Sequence, residues 1–124
     1  MNYYLCFDAG TQSVKVAVYD EAGNQAAVAV NPTTLYYPQS GWVEMNVHEY
    51  FELVLKGAKR CVEIMREKNL DVNSIRAIMG DGIICGIAGI NEEGIAITPY
   101  INYYIPGQDG GMPHIQNSWR LLKF

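Results

Sequence analysis

Three strand-like segments separated by two short turns open the chain, and they constrain its fold more than any other feature. Residues 3–8 are nearly all apolar, residues 13–20 alternate apolar with polar, and residues 25–30 form a third apolar segment. Short connections force consecutive strands to be antiparallel. We therefore predict an antiparallel meander whose first strand is buried on both sides. The alternating segment would place three side chains on one face: Val14, Val16 and Val18.

An amphipathic helix is predicted after the meander, over residues 47–69. Asn46 stands where a cap would be, and Glu49 follows three residues later, as in a capping box. Basic residues fall on the opposite side of this helix or at its end, as expected for a solvated face. Five apolar residues recur at helical spacing and predict the buried face: Phe51, Val54, Ala58, Val62 and Met65.

The rest of the pattern predicts a loop and three further strands. Proline and glycine mark residues 32–41 as a loop. Residues 74–79 read as a buried strand, and residues 86–90 and 95–98 flank the glycine-containing turn 91–94, as in a hairpin. Strands, then a helix, then more strands predict an α/β fold with a mixed sheet.

Composition excludes several classes of protein. The chain has 124 residues, of which 49% are hydrophobic and 18% charged, enough to bury a core. Its net charge of -4 argues against nucleic acid as a partner. There is neither an apolar run long enough to span a membrane nor a basic signal-peptide region. Three widely spaced cysteines fit buried thiols in a reducing cytosol, so a cytoplasmic location is expected: Cys6, Cys61 and Cys85.

Residues 8–15 carry the most chemistry. The acid Asp8 ends a strand, Gly10 allows close backbone approach, and hydroxyls and an ammonium follow at Thr11, Ser13 and Lys15. Backbone amides in such a turn converge on anions, and a carboxylate suits Mg²⁺, a combination that phosphoryl transfer uses. The segment is not a P-loop, because it lacks GxxxxGK[ST]. The residues alone fit an ordinary hairpin with a polar turn equally well.

The motif Asp-x-Gly-Thr-x-Ser-x-Lys at residues 8–15, followed by Gly41-Trp42-Val43-Glu44, resembles the start of the FGGY family of carbohydrate kinases. The resemblance covers residues 1–104. It implies the ribonuclease-H-like fold shared with actin and hexokinase, here as an incomplete N-terminal lobe. It also implies ATP and Mg²⁺ as cofactors and a sugar or polyol as substrate.

The resemblance assigns roles residue by residue. Asp8 and Thr11 match positions at the metal and the nucleotide phosphates, and Gly10, Gln12, Ser13 and Lys15 line the same loop. Trp42 and Glu44 match an element at the edge of the sugar site.

The segment 80–86 matches the stretch in which the family contacts sugar hydroxyls, and this chain departs from the family there. The matched pair is Ile84 and Cys85, and neither is a good hydroxyl partner. Asp81 either supplies the missing hydrogen bonds or is a solvated turn residue.

The family's general-base aspartate lies beyond the range of this chain, so we expect residues 1–124 alone to be inactive. The alternative is a non-catalytic module that binds another chain, and exposed sheet surface would also favour self-association. Around Tyr103 the family reads aromatic-x-Asp-x-Arg, whereas this chain reads Tyr103-Tyr104-Ile105-Pro106-Gly107. Residues 105–124 are unlike the family. They are either a divergent segment or the product of a single-base deletion after the codon for Tyr104.

Overall fold

The structure, a computed structural model, describes residues 1–40, 42–84 and 86–102. The chain divides into two units, one formed by residues 1–33 and 48–83, the other by residues 34–47 and by residues from 84 onward. The elements run in the order β1 (Tyr3–Ala9), β2 (Ser13–Asp20), β3 (Gln25–Pro32), β4 (Val43–Met45), α1 (Val47–Glu67), a 3-10 turn (Val72–Ser74), β5 (Ile75–Gly82), β6 (Gly86–Ile87) and β7 (Tyr100–Asn102).

The first unit contains a sheet with the strand order β3-β2-β1-β5 among the described residues. The first three strands are antiparallel neighbours, which confirms the predicted meander, and β5 is parallel to β1, which makes the sheet mixed. The turn between β2 and β3 is built around Asp20, whose carboxylate accepts hydrogen bonds from the backbone and side chain of Asn24. Those bonds lower the pKa of Asp20. Gly23 occupies the left-handed region there, with φ +83°.

The core lies between this sheet and α1. Val14, Val16 and Val18 are fully buried, as their alternation predicts. Leu5 stands opposite Val18 across the β1–β2 pair, so both strands contribute the same face to the core. The prediction that β1 is buried on both sides is wrong, because its residues alternate between a buried face and a more accessible one.

The helix buries the predicted face only in part: Met65 is buried and Val54 and Ala58 pack against the core, as expected, but Phe51 does not. Its buried residues are Gly57, Cys61 and Met65, each four positions from the next. Cys61 Sγ lies 3.3 Å from the carbonyl oxygen of Val16. Phe51 was expected on this face and is instead 58% exposed. It stands about 120° around the helix from Gly57, the point at which the missing side chain lets α1 approach the sheet.

β5 is also not the buried strand that the sequence predicts. Ile78 is 70% exposed and Met79 is 62% exposed, whereas Ile75 at the start of the strand is half-buried against the core. The reason is position: β5 is the outermost strand next to β1, and among the described residues α1 covers the core strands β1 to β3. Parallel strands are normally covered on both faces.

The second unit contains a small antiparallel sheet with the order β4-β7-β6. The predicted loop 32–41 is shorter than expected, because β3 extends to Pro32 and Tyr36 pairs with Glu44. The turn 91–94 forms as predicted, with Gly94 at φ +78° and its N–H donating to the carbonyl of Asn91 at 3.0 Å. Its flanks make only a single bridge instead of two strands, since the residues of β6 pair with β7.

The structure also bears on the predictions about membrane spans and about the three cysteines. No helix in the described ranges is long and apolar enough to cross a membrane. Cys61 is buried and Cys6 is half-buried, whereas Cys85 lies outside the described residues, as does the whole of the segment 105–124.

Candidate functional site

The turn between β1 and β2, residues 9–13, stands at the carboxyl end of β1. The N–H of Gly10 donates to the carbonyl oxygen of Ser13 at 3.0 Å and closes the turn. A Cβ atom at position 10 would lie 3.1 Å from that same oxygen, a tight contact. Glycine therefore suits this position because the chain folds back closely upon itself.

Three charged side chains form a row across neighbouring strands beside this turn. Asp8 on β1 pairs with Lys15 on β2 and with Asp81 on β5. Partners in adjacent strands point to the same side of a sheet, so all three lie on one face. Because β1 alternates and its buried Ala9 faces the core, this is the face that α1 does not cover.

The Asp8–Lys15 pair is open to solvent. Lys15 Nζ lies 3.9 Å from Asp8 Oδ2, and the side chains are 59% and 58% exposed, respectively. An exposed pair at this distance contributes only about 0–1 kcal/mol to stability. Both groups can therefore turn toward a ligand at little cost to the fold.

The remaining turn residues that the sequence singles out are Thr11, Gln12 and Ser13. Gln12 is exposed, and the other two are half-buried. Thr33, which directly follows β3, binds this part of the turn twice. Its hydroxyl donates to the carbonyl of Thr11, and its N–H donates to the carbonyl of Gln12 at 3.1 Å.

Tyr50 also contacts the turn, and neither it nor Thr33 was found by sequence analysis. Its hydroxyl donates to the carbonyls of Ala9 and Gly10, the latter at 3.0 Å. A signal for Tyr50 does exist in the sequence. It stands seven positions before Gly57 and so lies on nearly the same helix face. A tyrosine on a buried face usually needs a partner for its hydroxyl.

Asp81 is the next-to-last residue of β5, whereas Ile84 follows the end of that strand. Asp81 is exposed, and its Oδ1 accepts a hydrogen bond from the next amide, that of Gly82, at 2.8 Å. Ile84 belongs to the second unit and is 80% exposed. Cys85, the other member of the predicted sugar-contacting pair, is outside the described residues.

Trp42 and Glu44 also lie in the second unit. Trp42 is half-buried, and its N–H donates to the carbonyl of Gln39 at 3.0 Å. Glu44 is held in β4 by two backbone hydrogen bonds with Tyr36, of 2.8 and 2.9 Å. Its side chain points away from the buried side chains of Val43 and Met45. The predicted phosphate-side residues thus come together in the first unit, and these two predicted sugar-side residues belong to the other.

The acidic residues of the first unit suit Mg²⁺ better than a metal ion that needs three or more protein ligands. No group of three or more His, Cys, Asp or Glu side chains is arranged to hold a metal ion within residues 1–40, 42–84 and 86–102. Mg²⁺ in kinases needs less from the protein, because it keeps several waters and is held by one or two carboxylates together with substrate phosphates. Asp8, with Asp81 in register beside it, meets that smaller requirement.

An antiparallel meander, a fourth strand parallel to β1 and a glycine turn after an acid define a class: the mixed-sheet fold of actin and hexokinase. Two solved structures share this fold. Xylulose kinase from Rhodospirillum rubrum matches with a TM-score of 0.73 at 19% identity, over 98% of this chain and 24% of its own. Gluconate kinase from Lactobacillus acidophilus matches with a TM-score of 0.70 at 21% identity, over 82% and 19%. The predicted ribonuclease-H-like fold is confirmed.

Within that class the family is also defined. Residues 3–101 match the N-terminal domain of the FGGY family of carbohydrate kinases, and the chain belongs to this family. Glycerol kinase from Pediococcus pentosaceus is 42% identical over 53 residues, which is 43% of this chain and 10% of that protein. Glycerol kinase from Mycoplasma capricolum is 33% identical over 76 residues, which is 61% and 14%. The chain thus spans a small fraction of the length of the curated relatives that it matches.

Proposed function

We propose that this chain forms the phosphate-binding part of an ATP-dependent kinase of a sugar or polyol. The observation that carries the proposal is the row of Lys15, Asp8 and Asp81 beside the closed turn of residues 9–13. Family membership supports the reaction class, and the relatives named above include glycerol, xylulose and gluconate kinases.

The turn supplies the groups that a transferring phosphoryl group requires. Backbone amides of a tight turn can point together at an anion. The hydroxyls of Thr11 and Ser13 and the side-chain amide of Gln12 add hydrogen-bond donors, and the ammonium of Lys15 adds positive charge. Gly10 keeps a side chain out of the path of the phosphates. Catalysis of this kind depends on position and charge more than on covalent chemistry of the protein.

Asp8 is the residue that we assign to Mg²⁺, directly or through water. Bound Mg²⁺ would offset the charge that builds up on the phosphate oxygens during transfer. Lys15, 3.9 Å from Asp8, would hold the carboxylate in place before the nucleotide arrives. It could then turn toward a phosphate oxygen, because both groups are largely exposed.

The residues that the family resemblance assigns to sugar recognition are Trp42, Glu44, Asp81, Ile84 and Cys85. A tryptophan face packs against the apolar face of a sugar ring, and carboxylates accept hydrogen bonds from hydroxyls. Ile84 offers no polar atom and is exposed. Within the second unit we therefore assign hydroxyl recognition to Glu44.

Activity tests the proposal directly. Purified 124-residue chain should consume no ATP with any of a panel of pentuloses, hexuloses and polyols, because the family's general base is not in it. The complete product, translated with the reading frame after the codon for Tyr104 restored, should phosphorylate at least one of them. If the complete product is inactive on the whole panel, the kinase assignment is wrong.

Replacing Asp8 with asparagine in the complete product tests the metal role. Turnover should fall by about 100-fold or more, because asparagine holds Mg²⁺ less tightly and the positive charge that offsets the developing negative charge is lost. The KM for the sugar should change little. Glu93→Gln is the matched control, since it removes one carboxylate from an exposed turn outside the proposed site. Equal turnover in the two variants would show that Asp8 only ends a strand.

A non-catalytic binding module is the second candidate, and the exposure of β5 favours it. Ile78 and Met79 present apolar surface beside an open strand edge among the described residues. A protein that binds another chain through this surface would need no nucleotide. Inactivity of the complete product, together with a stable complex formed through β5, would support this second function.

A further inference from the structure

The carbonyl oxygens of the turn are all engaged by the protein itself. Residues 9–13 provide five consecutive carbonyls, and each accepts a hydrogen bond. The single hydroxyl proton of Tyr50 is shared between the first two, Thr33 binds the next two, and the N–H of Gly10 binds the last. Turns exposed to solvent usually leave part of this task to water.

The donors come from two separate elements. Tyr50 lies in the first turn of α1, and Thr33 directly follows β3. The turn is therefore held from the helix on one side and from the end of the meander on the other. Neither residue belongs to the motif at residues 8–15, so the motif does not fix its own conformation alone.

The direction of these bonds matters for an anion. A carbonyl and the N–H of the next residue point in opposite directions across a planar trans peptide. When Tyr50 binds the carbonyl of Gly10, the N–H of Thr11 points away from Tyr50. When Thr33 binds the carbonyl of Thr11, the N–H of Gln12 points away from Thr33.

A phosphate would otherwise meet a mixture of partial charges at this turn. Carbonyl oxygens repel an anion and N–H groups attract it. Holding the carbonyls against the protein before the ligand arrives removes the repulsive groups and leaves no reorganisation for the moment of reaction. The site is then ready for phosphate without a change of shape.

We propose that Tyr50 and Thr33 are positioning residues for phosphoryl transfer, which bind the carbonyls of residues 9–12 so that the turn presents its N–H groups to the nucleotide phosphates. This inference rests on the proposed kinase function. Phosphate binding requires that the carbonyls of the turn be held away from the anion, and the inference assigns this role to two residues outside the motif.

Amide hydrogen exchange in the 124-residue chain tests the positioning without any need for activity. The reporter is the N–H of Gly10, which closes the turn onto Ser13 at 3.0 Å. Tyr50→Phe and Thr33→Val each remove one donor hydroxyl with little change in shape. Each should speed exchange of that amide by about 2- to 10-fold, the range for one lost hydrogen bond.

Two control variants make the test specific. Thr33→Ser keeps the hydroxyl and should restore slow exchange. Tyr19→Phe removes a hydroxyl of the same sheet whose hydrogen bond, from Gln25, lies at the other end of β2, and it should leave Gly10 unchanged. Unchanged exchange at Gly10 in both Tyr50→Phe and Thr33→Val would overturn the inference.

Kinetics of the complete gene product then test the purpose of the positioning. Tyr50→Phe and Thr33→Val should lower kcat by about 10-fold and leave the KM for the sugar unchanged, because misplacement affects transfer more than sugar binding. Faster exchange at Gly10 with an unchanged kcat would overturn the phosphate role. An inactive wild-type product is a different result: it refutes the proposed function itself, and the phosphate role of these residues with it.

Discussion

Replacing Gly57 with alanine should destabilise the first unit, although alanine is the better helix former. At Gly57 the helix α1 approaches the sheet closely. A Cβ atom there would be 2.4 Å from Cγ2 of Val16 and 3.2 Å from Nδ2 of Asn31. Carbon atoms in contact prefer a separation of about 3.5–4.0 Å, so the helix or the valine would have to move by roughly 1 Å.

Neither neighbour of Gly57 can move easily. Val16 is fully buried, and a β-branched side chain has few rotamers to choose from. Nδ2 of Asn31 donates to the carbonyl of Leu53 at 3.0 Å, and this asparagine is itself buried. Moving either one therefore disturbs packing or a buried hydrogen bond.

The change in the free energy of unfolding caused by Gly57→Ala is the sum of two unfavourable contributions and one favourable contribution. Overpacking costs about 1–3 kcal/mol, and an unsatisfied buried polar group costs about 1–3 kcal/mol. Alanine gains about 1 kcal/mol over glycine in a helix. We expect Gly57→Ala to lower the free energy of unfolding by about 1–5 kcal/mol, a large share of the roughly 5–15 kcal/mol of a typical domain.

Urea denaturation followed by circular dichroism measures this change, and a second substitution isolates its cause. Val16→Ala removes Cγ2, the nearest atom, but keeps Cβ, which would still lie 3.0 Å from the added carbon, so Gly57→Ala made in that background should cost clearly less than in the protein that retains Val16. If Gly57→Ala stabilises the protein that retains Val16, the close approach of helix and sheet is not as described here.

Three further outcomes are expected. Light scattering at high concentration should show self-association of the 124-residue chain, since β5 exposes Met79 and has an unpaired edge among the residues that the structure describes; a clean monomer would contradict this. Burial raises the pKa of the Cys61 thiol, so mass spectrometry should find it alkylated much more slowly at neutral pH in the native chain than in urea. Equal rates would show that the helix is not packed on the sheet. Sequencing the gene should reveal, after the codon for Tyr104, a shifted frame that restores Asp-x-Arg and continues as a kinase; a frame that does neither refutes the single-base deletion.

The meander was predicted correctly because residue alternation and turn length, which are both visible over a few neighbouring residues, decide its structure. Val14, Val16 and Val18 alternate and are buried, and the short turns leave no choice but antiparallel pairing. The start of α1 directly after Asn46 was predictable for the same reason. In each case the deciding interactions join residues that are close in sequence.

Predictions failed where the outcome depends on distant partners. Phe51 has the right spacing for the core, but close packing at Gly57 turned the buried stripe away from it. The apolar residues of β5 read as buried, yet burial depends on what covers a strand and not on its own sequence. The same holds for the candidate site. The motif at residues 8–15 predicted the turn itself, but it gave no sign of Tyr50, which contacts the turn from some forty positions away in the sequence.

The parallel pairing of β5 with β1 sets an order of events during folding. The meander needs only short turns to form, whereas Tyr3 meets Ile75 only after the whole of α1 has crossed over the sheet. Pairings between residues distant in sequence form more slowly, because a larger loop must close first. During synthesis the turn of residues 9–13 emerges early, and Tyr50, which binds two of its carbonyls, follows only some forty positions later. Asp81 arrives with the final strand of this sheet, so the row of charges beside the turn is the last part to be completed.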